Sequence, residues 1–85
     1  MSPQEEAASF QLTYLHSVQW QPDIMNNGDE VAFEWQRPGK HAIVSLKGDG
    51  VIDYTMLIGD NFVSGAVGQC PIYVFPDDLK KYLNE

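Results

Sequence analysis

Basic residues are scarce in this 85-residue chain: five lysines and arginines stand against twelve aspartates and glutamates, a formal net charge of −7. A surface of that sign repels phosphate backbones, which argues against nucleic acid as a direct partner. Cysteine is nearly absent. With Cys70 alone, an internal disulfide and any multi-cysteine zinc site are excluded, and a reducing, cytoplasmic setting is expected. Long apolar runs are missing too; none approaches the roughly 20 residues of a membrane helix. The opening residues Met1-Ser-Pro-Gln-Glu-Glu are acidic and no apolar run follows, so a secretion signal is not expected. There is no internal repeat, low-complexity tract or linker, and residues 1–85 read as a single small domain.

Apolar residues, at 44%, suffice for a packed core. They concentrate in Glu30–Arg37, His41–Lys47 and Val51–Ile58, which read as three consecutive antiparallel strands. Pro38-Gly39 as a tight loop sets Arg37 opposite Lys40, Trp35 opposite Ala42, Phe33 opposite Val44 and Val31 opposite Leu46. Gly48-Asp49-Gly50 as a three-residue loop sets Leu46 opposite Ile52, Val44 opposite Tyr54 and Ala42 opposite Met56. Opposed residues share a face and side chains alternate along each strand, so both loops gather one apolar set on one side. A one-residue slip points part of that set at water. A two-residue Asp49-Gly50 turn produces such a slip and is rejected. Pro-Gly favours a type II turn, which matches strand twist poorly, so the first loop is a candidate for widening.

Ser2-Pro3-Gln4-Glu5 has the form of a capping box, and a helix is expected over Pro3 to Ser17. Its apolar arc is Ala7, Ala8, Phe10, Leu12, Tyr14, Leu15 and Val18, with Glu5 and Glu6 on the polar side as helix-start charges. The competing reading is a strand, because Phe10, Leu12, Tyr14, His16, Val18 and Trp20 also alternate. Asn27-Gly28 predicts a hairpin that pairs Ile24 with Val31 and Trp20 with Trp35, with Pro22 confining its short strand to the sheet edge. Phe62–Val67 is a further strand of ambiguous register, with Gly65 weakening it or marking a bulge. Ile72–Phe75 is a short strand or extended segment. Pro76–Leu83 is a short helix, acidic early and basic late, burying Leu79, Tyr82 and Leu83. The expected architecture is α+β: an N-terminal helix, a four- to five-stranded antiparallel meander and a short C-terminal helix, both helices on the face of Phe33, Trp35, Val44 and Tyr54.

The stretch Gln21-Pro22-Asp23-Ile24, Gly28, Val31-Ala-Phe-Glu-Trp35, His41-Ala-Ile-Val44, Asp49-Gly50 and Tyr54 resembles small uncharacterised bacterial proteins. They carry Pro-x-Ile, Gly-x-Val-x-Phe-Glu-Trp and Asp-Gly-x-x-x-Tyr after a helix. Here Asp29-Glu30 stand between the glycine and the valine, where that pattern has one residue. The resemblance implies an α+β domain of bacterial or mobile-element origin and carries no activity with it.

Catalytic signals are thin. Cys70 with His16 or His41 is the one thiol–histidine combination, with nothing in the spacing to orient it. His41 has no second metal ligand at regular spacing. The acids of Asp29-Glu30 and of Asp49 with Asp53 lack a full calcium ladder. No metal or cofactor is expected, nor a cavity between helices and sheet. The more informative surface is the sheet's second face, where Ile43 and Leu57 sit among Glu34, His41 and Asp53. An apolar centre with a charged rim is how partner surfaces are built, and the alternative is a solvated face with scattered apolar residues. The leading expectation is a non-enzymatic protein–protein interaction module using Glu34, His41, Ile43, Asp53 and Leu57 to bind another protein or a second copy as a homodimer. Two alternatives remain: an acidic nucleic-acid mimic, as in phage or mobile-element anti-defence proteins, and a small-ligand or enzymatic domain using His41, Asp53, Glu34 or Cys70.

Overall fold

The computed structural model describes residues 2–14, 18–67 and 77–84. Helix α1 (Pro3–Tyr14) precedes strands β1 (Asp23–Asn26), β2 (Val31–Arg37), β3 (Lys40–Leu46), β4 (Ile52–Ile58) and β5 (Asn61–Val67), and helix α2 (Asp77–Leu83) ends the chain. The strands form one antiparallel meander in the order β1-β2-β3-β4-β5. Its centre has the register set by residue alternation: Phe33 pairs with Val44, Trp35 with Ala42, Val44 with Tyr54 and Leu46 with Ile52. The Pro38-Gly39 loop is not widened. Arg37 pairs with Lys40 directly, and Gly39 at φ 81° takes the left-handed position a type II turn reserves for glycine.

One register differs. Ile24 pairs with Phe33 and Asn26 with Val31, two residues from the alignment that Asn27-Gly28 suggests. The turn closes with Asn27 N–H donating to Glu30 C=O at 2.9 Å, so Gly28-Asp29 forms the tip. Side chains account for this. Asn26 Oδ1 accepts from Gly28 N at 3.0 Å, and Gln4 of α1 donates to Asn26 Oδ1 and to Gly28 C=O. Those bonds hold the turn one residue further along than the local Asn27-Gly28 preference places it. A shift of two preserves the faces, and β1 begins immediately after Pro22, as the missing amide requires. Trp20 and Trp35 meet, but not as a cross-strand pair: Trp35 Nε1–H donates to Trp20 C=O at 2.6 Å.

Ser2 and Glu5 close the capping box, with Glu5 N–H donating to Ser2 Oγ and Ser2 N–H to Glu5 Oε1, both at 3.1 Å. The helix reading therefore holds over Pro3–Tyr14, and residues 15–17 of the expected helix lie outside the described residues. Its buried face is not the expected arc. Ala7 and Phe10 are buried, but Glu6 is 1% exposed and Leu12 is 74% exposed. Glu6, Ala7 and Phe10 fall within about 100° of one another at 100° per residue. The helix touches the sheet along that narrow seam, with the Phe10 and Phe33 ring centroids 5.0 Å apart.

Leu79 and Leu83 of α2 are buried as expected. They join Ala7, Phe10 and Val18 in one core with Val31, Phe33, Trp35, Ala42, Val44, Leu46, Ile52 and Met56, all from the same face of the sheet. β5 pairs regularly with β4, Tyr54 opposite Gly65, so no bulge forms there. A Cβ on Gly65 would lie 2.4 Å from Cζ of Tyr54; the glycine makes room for the ring. The expected strand at residues 72–75 lies outside the described residues.

Candidate functional site

Alternation sends Glu34, His41, Ile43, Asp53 and Leu57 to the face opposite the core. Among the described residues neither helix covers it. The cross-strand rows are legible from the pairing. Gln36 stands opposite His41, whose register position faces Leu57, which pairs with Phe62; Glu34, Ile43, Thr55 and Ser64 form the next row; Ala32, Ser45 and Asp53 form the third.

Glu34 and His41 are diagonal neighbours across β2 and β3, the spacing at which long side chains meet. His41 Nε2 lies 2.6 Å from Glu34 Oε2, and the two side chains are only 22% and 25% exposed. Phe62 sets its ring edge-on to the imidazole, with centroids 5.8 Å apart and planes at 74°. The histidine is thus gripped on two sides. Phe62 itself is 58% exposed, while Ile43 and Leu57 are half-buried. Ile43 and Phe62 line a shallow depression of about 370 Å³ with His41, rimmed by Asp53, Thr55 and Ser64; Leu57 stands in the same cross-strand row as Phe62. Asp53 has no ion-pair partner among the described residues. The depression offers an apolar floor, a carboxylate, hydroxyls and a held imidazole.

Among the described residues nothing in that arrangement forms a nucleophile–base pair: Glu34 Oε2 takes the imidazole Nε2 and no hydroxyl bonds to the ring. No group of three metal-ligating side chains occurs among the described residues. Cys70 and His16 lie outside them. No described helix is long and apolar enough to cross a membrane.

Phe62 is the member of this patch that sequence reasoning missed, because the register of β5 was left open. The signal was there: Gly59-Asp60 between Ile58 and Asn61 is a two-residue turn, with Gly59 at φ 63°, and it dictates every pair that follows. Glu6 was missed entirely. Its carboxylate accepts from Gly48 N–H and Gly50 N–H at 2.7 Å each, tying α1 to the β3–β4 loop. A third device sits at the far end of the sheet. Tyr82 Oη accepts from His41 N–H at 3.1 Å and donates to Leu57 C=O. A hydroxyl thus stands in the ladder where β3 and β4 separate. Beside it an open groove of about 480 Å³ runs between α2 and β4–β5, lined by Lys40, Met56, Ile58, Val63, Lys81 and Tyr82. It is a surface feature at the end of the packed core, and it departs from the expectation of no cavity there.

Among the described residues two titrating groups are perturbed. The Ser2 backbone N–H, then the Ser2 hydroxyl, hold the Glu5 carboxyl below its usual range. Burial, then the hydrogen bond to Asp78 and that carboxylate's charge, push the Tyr54 phenol up.

No family model, curated protein or solved structure matches this chain, so its chemistry is read from its own residues.

Proposed function

We propose that this protein is a small non-enzymatic binding module that docks another protein on the sheet face opposite its helices. The supporting observation is the grouping of Ile43, Leu57 and Phe62 in adjacent cross-strand rows beside the fixed Glu34–His41 pair and Asp53, which has no ion-pair partner among the described residues. An exposed apolar cluster with a polar rim is the anatomy of a partner surface. The chemistry points to a partner that presents an apolar projection beside a lysine or arginine. The projection enters the depression and the cation meets Asp53, in a protein whose overall charge attracts basic surfaces.

The test is a quantitative titration of a purified partner, first captured with the wild-type chain, against a Glu34→Gln, Ile43→Thr, Leu57→Thr triple variant. Loss of apolar anchors at the centre of an interface is expected to weaken binding by about tenfold or more, with the circular dichroism melt close to wild type. Equal binding by the two chains refutes the reading.

A second reading has one observation in its favour. Glu5, Asp29, Glu30 and Asp49 come from three separate segments, yet all sit at one end of the sheet. There α1 bonds both the β1–β2 loop and the β3–β4 loop. An acidic end of this kind suits a nucleic-acid mimic aimed at a basic cleft, and binding of that origin weakens steeply with added salt. A complex that depends on Glu5, Asp29 and Asp49 and dissolves in salt favours this reading. One that depends on Ile43 and Leu57 and tolerates salt favours the first.

A further inference from the structure

The two edges of the sheet are not alike. β1 is short, follows Pro22 and opens with Asp23, all features that discourage another strand from adding to it. β5 runs over the seven residues Asn61–Val67 without a charge or a proline. Phe62 and Val63 are 58% and 45% exposed on it. Among the described residues no strand and no backbone hydrogen bond lies on its outer side. Its open groups follow from the turn. With Ile58 and Asn61 closing a two-residue loop as a hydrogen-bonded pair, alternation turns the N–H and C=O of Phe62, Ser64 and Ala66 outward.

We propose that β5 is a self-pairing edge, through which two copies of this chain join antiparallel about a two-fold axis at Ser64 and merge their sheets into one. That register pairs every outward residue: Ser64 with its own copy, and Phe62 with Ala66 of the second copy in both directions. A slip of two residues either way leaves an outward residue on each copy unpaired. The side chains agree with it. On the helix-bearing face, the exposed Val63 falls opposite Gly65 of the second copy, the position whose side-chain space Tyr54 fills. A protruding residue therefore meets a flat one. The acidic chain's self-repulsion is least here, since β5 is uncharged and Asp60 lies at its end, away from the axis. An edge of seven residues buries less than the roughly 1,200 Å² of a stable interface, so the dimer is weak and concentration-dependent. It would extend the face assigned to partner binding, but its bonds are backbone bonds that need none of Glu34, Ile43 or Leu57.

The experiment is sedimentation equilibrium of the full chain from about 1 µM to about 1 mM, with hydrogen exchange at both ends of that range. Wild type is expected to shift from monomer to dimer mass. The amides of Phe62, Ser64 and Ala66 should gain protection with concentration, and those of Val63 and Gly65, bonded to β4, should be protected throughout. Ser64→Lys and Ser64→Glu each bring like charges together on the axis and should stay monomeric. Mixed in equal amounts, they should recover dimer mass. A wild-type chain that remains monomeric at the highest concentration overturns the proposal. So does a dimer whose Phe62 and Ser64 amides exchange no more slowly, or one that Ser64→Lys leaves unchanged.

Discussion

Replacing Glu6 tests the least obvious support in the fold. The carboxylate is 1% exposed and accepts from Gly48 N–H and Gly50 N–H, both at 2.7 Å, the length of charge-assisted bonds. Gly48 and Gly50 stand at φ 86° and 77°, so the loop already adopts a conformation reserved for glycine. It does so with its amides turned inward to one anion. Glu6→Ala leaves both donors without a partner, at about 1–3 kcal/mol each. It also opens a void, although losing a buried charge returns part of the desolvation cost. The expected net cost is about 3–5 kcal/mol, a large share of the roughly 5–15 kcal/mol that holds a domain together. At about 4–8 °C per kcal/mol for a chain of this size, Tm should fall by at least about 12 °C. Glu6→Gln keeps one acceptor and sets an amide N–H against the other donor, so about half that loss is expected. Glu6→Met keeps the volume and none of the acceptors; if hydrogen bonding dominates over packing, it should resemble alanine. Urea unfolding gives the free energies, and hydrogen exchange at Gly48 and Gly50 localises them. If Glu6→Gln and Glu6→Met both unfold within about 0.5 kcal/mol of wild type, a difference below what either lost bond should produce, the clamp has no energetic weight.

Tyr82→Phe removes the hydroxyl that joins His41 N–H to Leu57 C=O; about 1–3 kcal/mol should be lost, with faster exchange at the His41 amide. Glu5 has its folded-state pKa lowered by the Ser2 N–H and hydroxyl. Its contribution is therefore present above the unfolded value of about 4.3 and is lost as pH falls through the folded one. Urea midpoints of wild type and Glu5→Gln should accordingly differ at neutral pH and converge in acid, and a gap that widens on acidification contradicts the capping box. Gly65→Ala forces the Tyr54 ring aside and breaks its hydrogen bond to Asp78, at a cost of about 1–2 kcal/mol. In a Tyr54→Ser background most of that cost should vanish, a coupling that a double-mutant cycle measures.

What was legible in the chain follows a physical division. Alternation over Val31–Arg37, Lys40–Leu46 and Ile52–Ile58 admits one register with a single apolar face, so the centre of the meander could be drawn residue by residue. Ser2 and Glu5 are three apart and bond each other, so the start of α1 was legible too. Features governed by distant partners were not. Nothing near Glu6 reveals that its partners are amides 42 and 44 residues away, and on local grounds a glutamate in a first helical turn reads as solvated. The β1 register failed for the same reason: Asn27-Gly28 favours a turn at those two residues locally, and Gln4 from α1 helps hold it at Gly28-Asp29 instead. The site was legible by face but not by contact. Alternation placed Glu34, His41, Ile43, Asp53 and Leu57 on one side, and the same register already made Glu34 and His41 diagonal neighbours.

The face opposite the core bears on function because its apolar residues are more than the fold requires. In β3, Ala42, Val44 and Leu46 are fully buried, and they account for the strand's place in the core. Ile43, between them and facing the other way, contributes nothing to that core. Strand propensity alone explains one such residue, since β-branched side chains suit any pleated surface. It explains less well why Leu57 and Phe62 stand in the adjoining row, or why Phe62 is laid against an imidazole that Glu34 already holds. Propensity acts position by position and predicts scatter. Here Ile43 and Phe62 line one depression with Leu57 paired to Phe62, while Gln36 near the end of β2 and Lys47 just beyond β3 are exposed and polar. The binding role proposed above accounts for that concentration, since burial against a second protein surface would cover all three side chains.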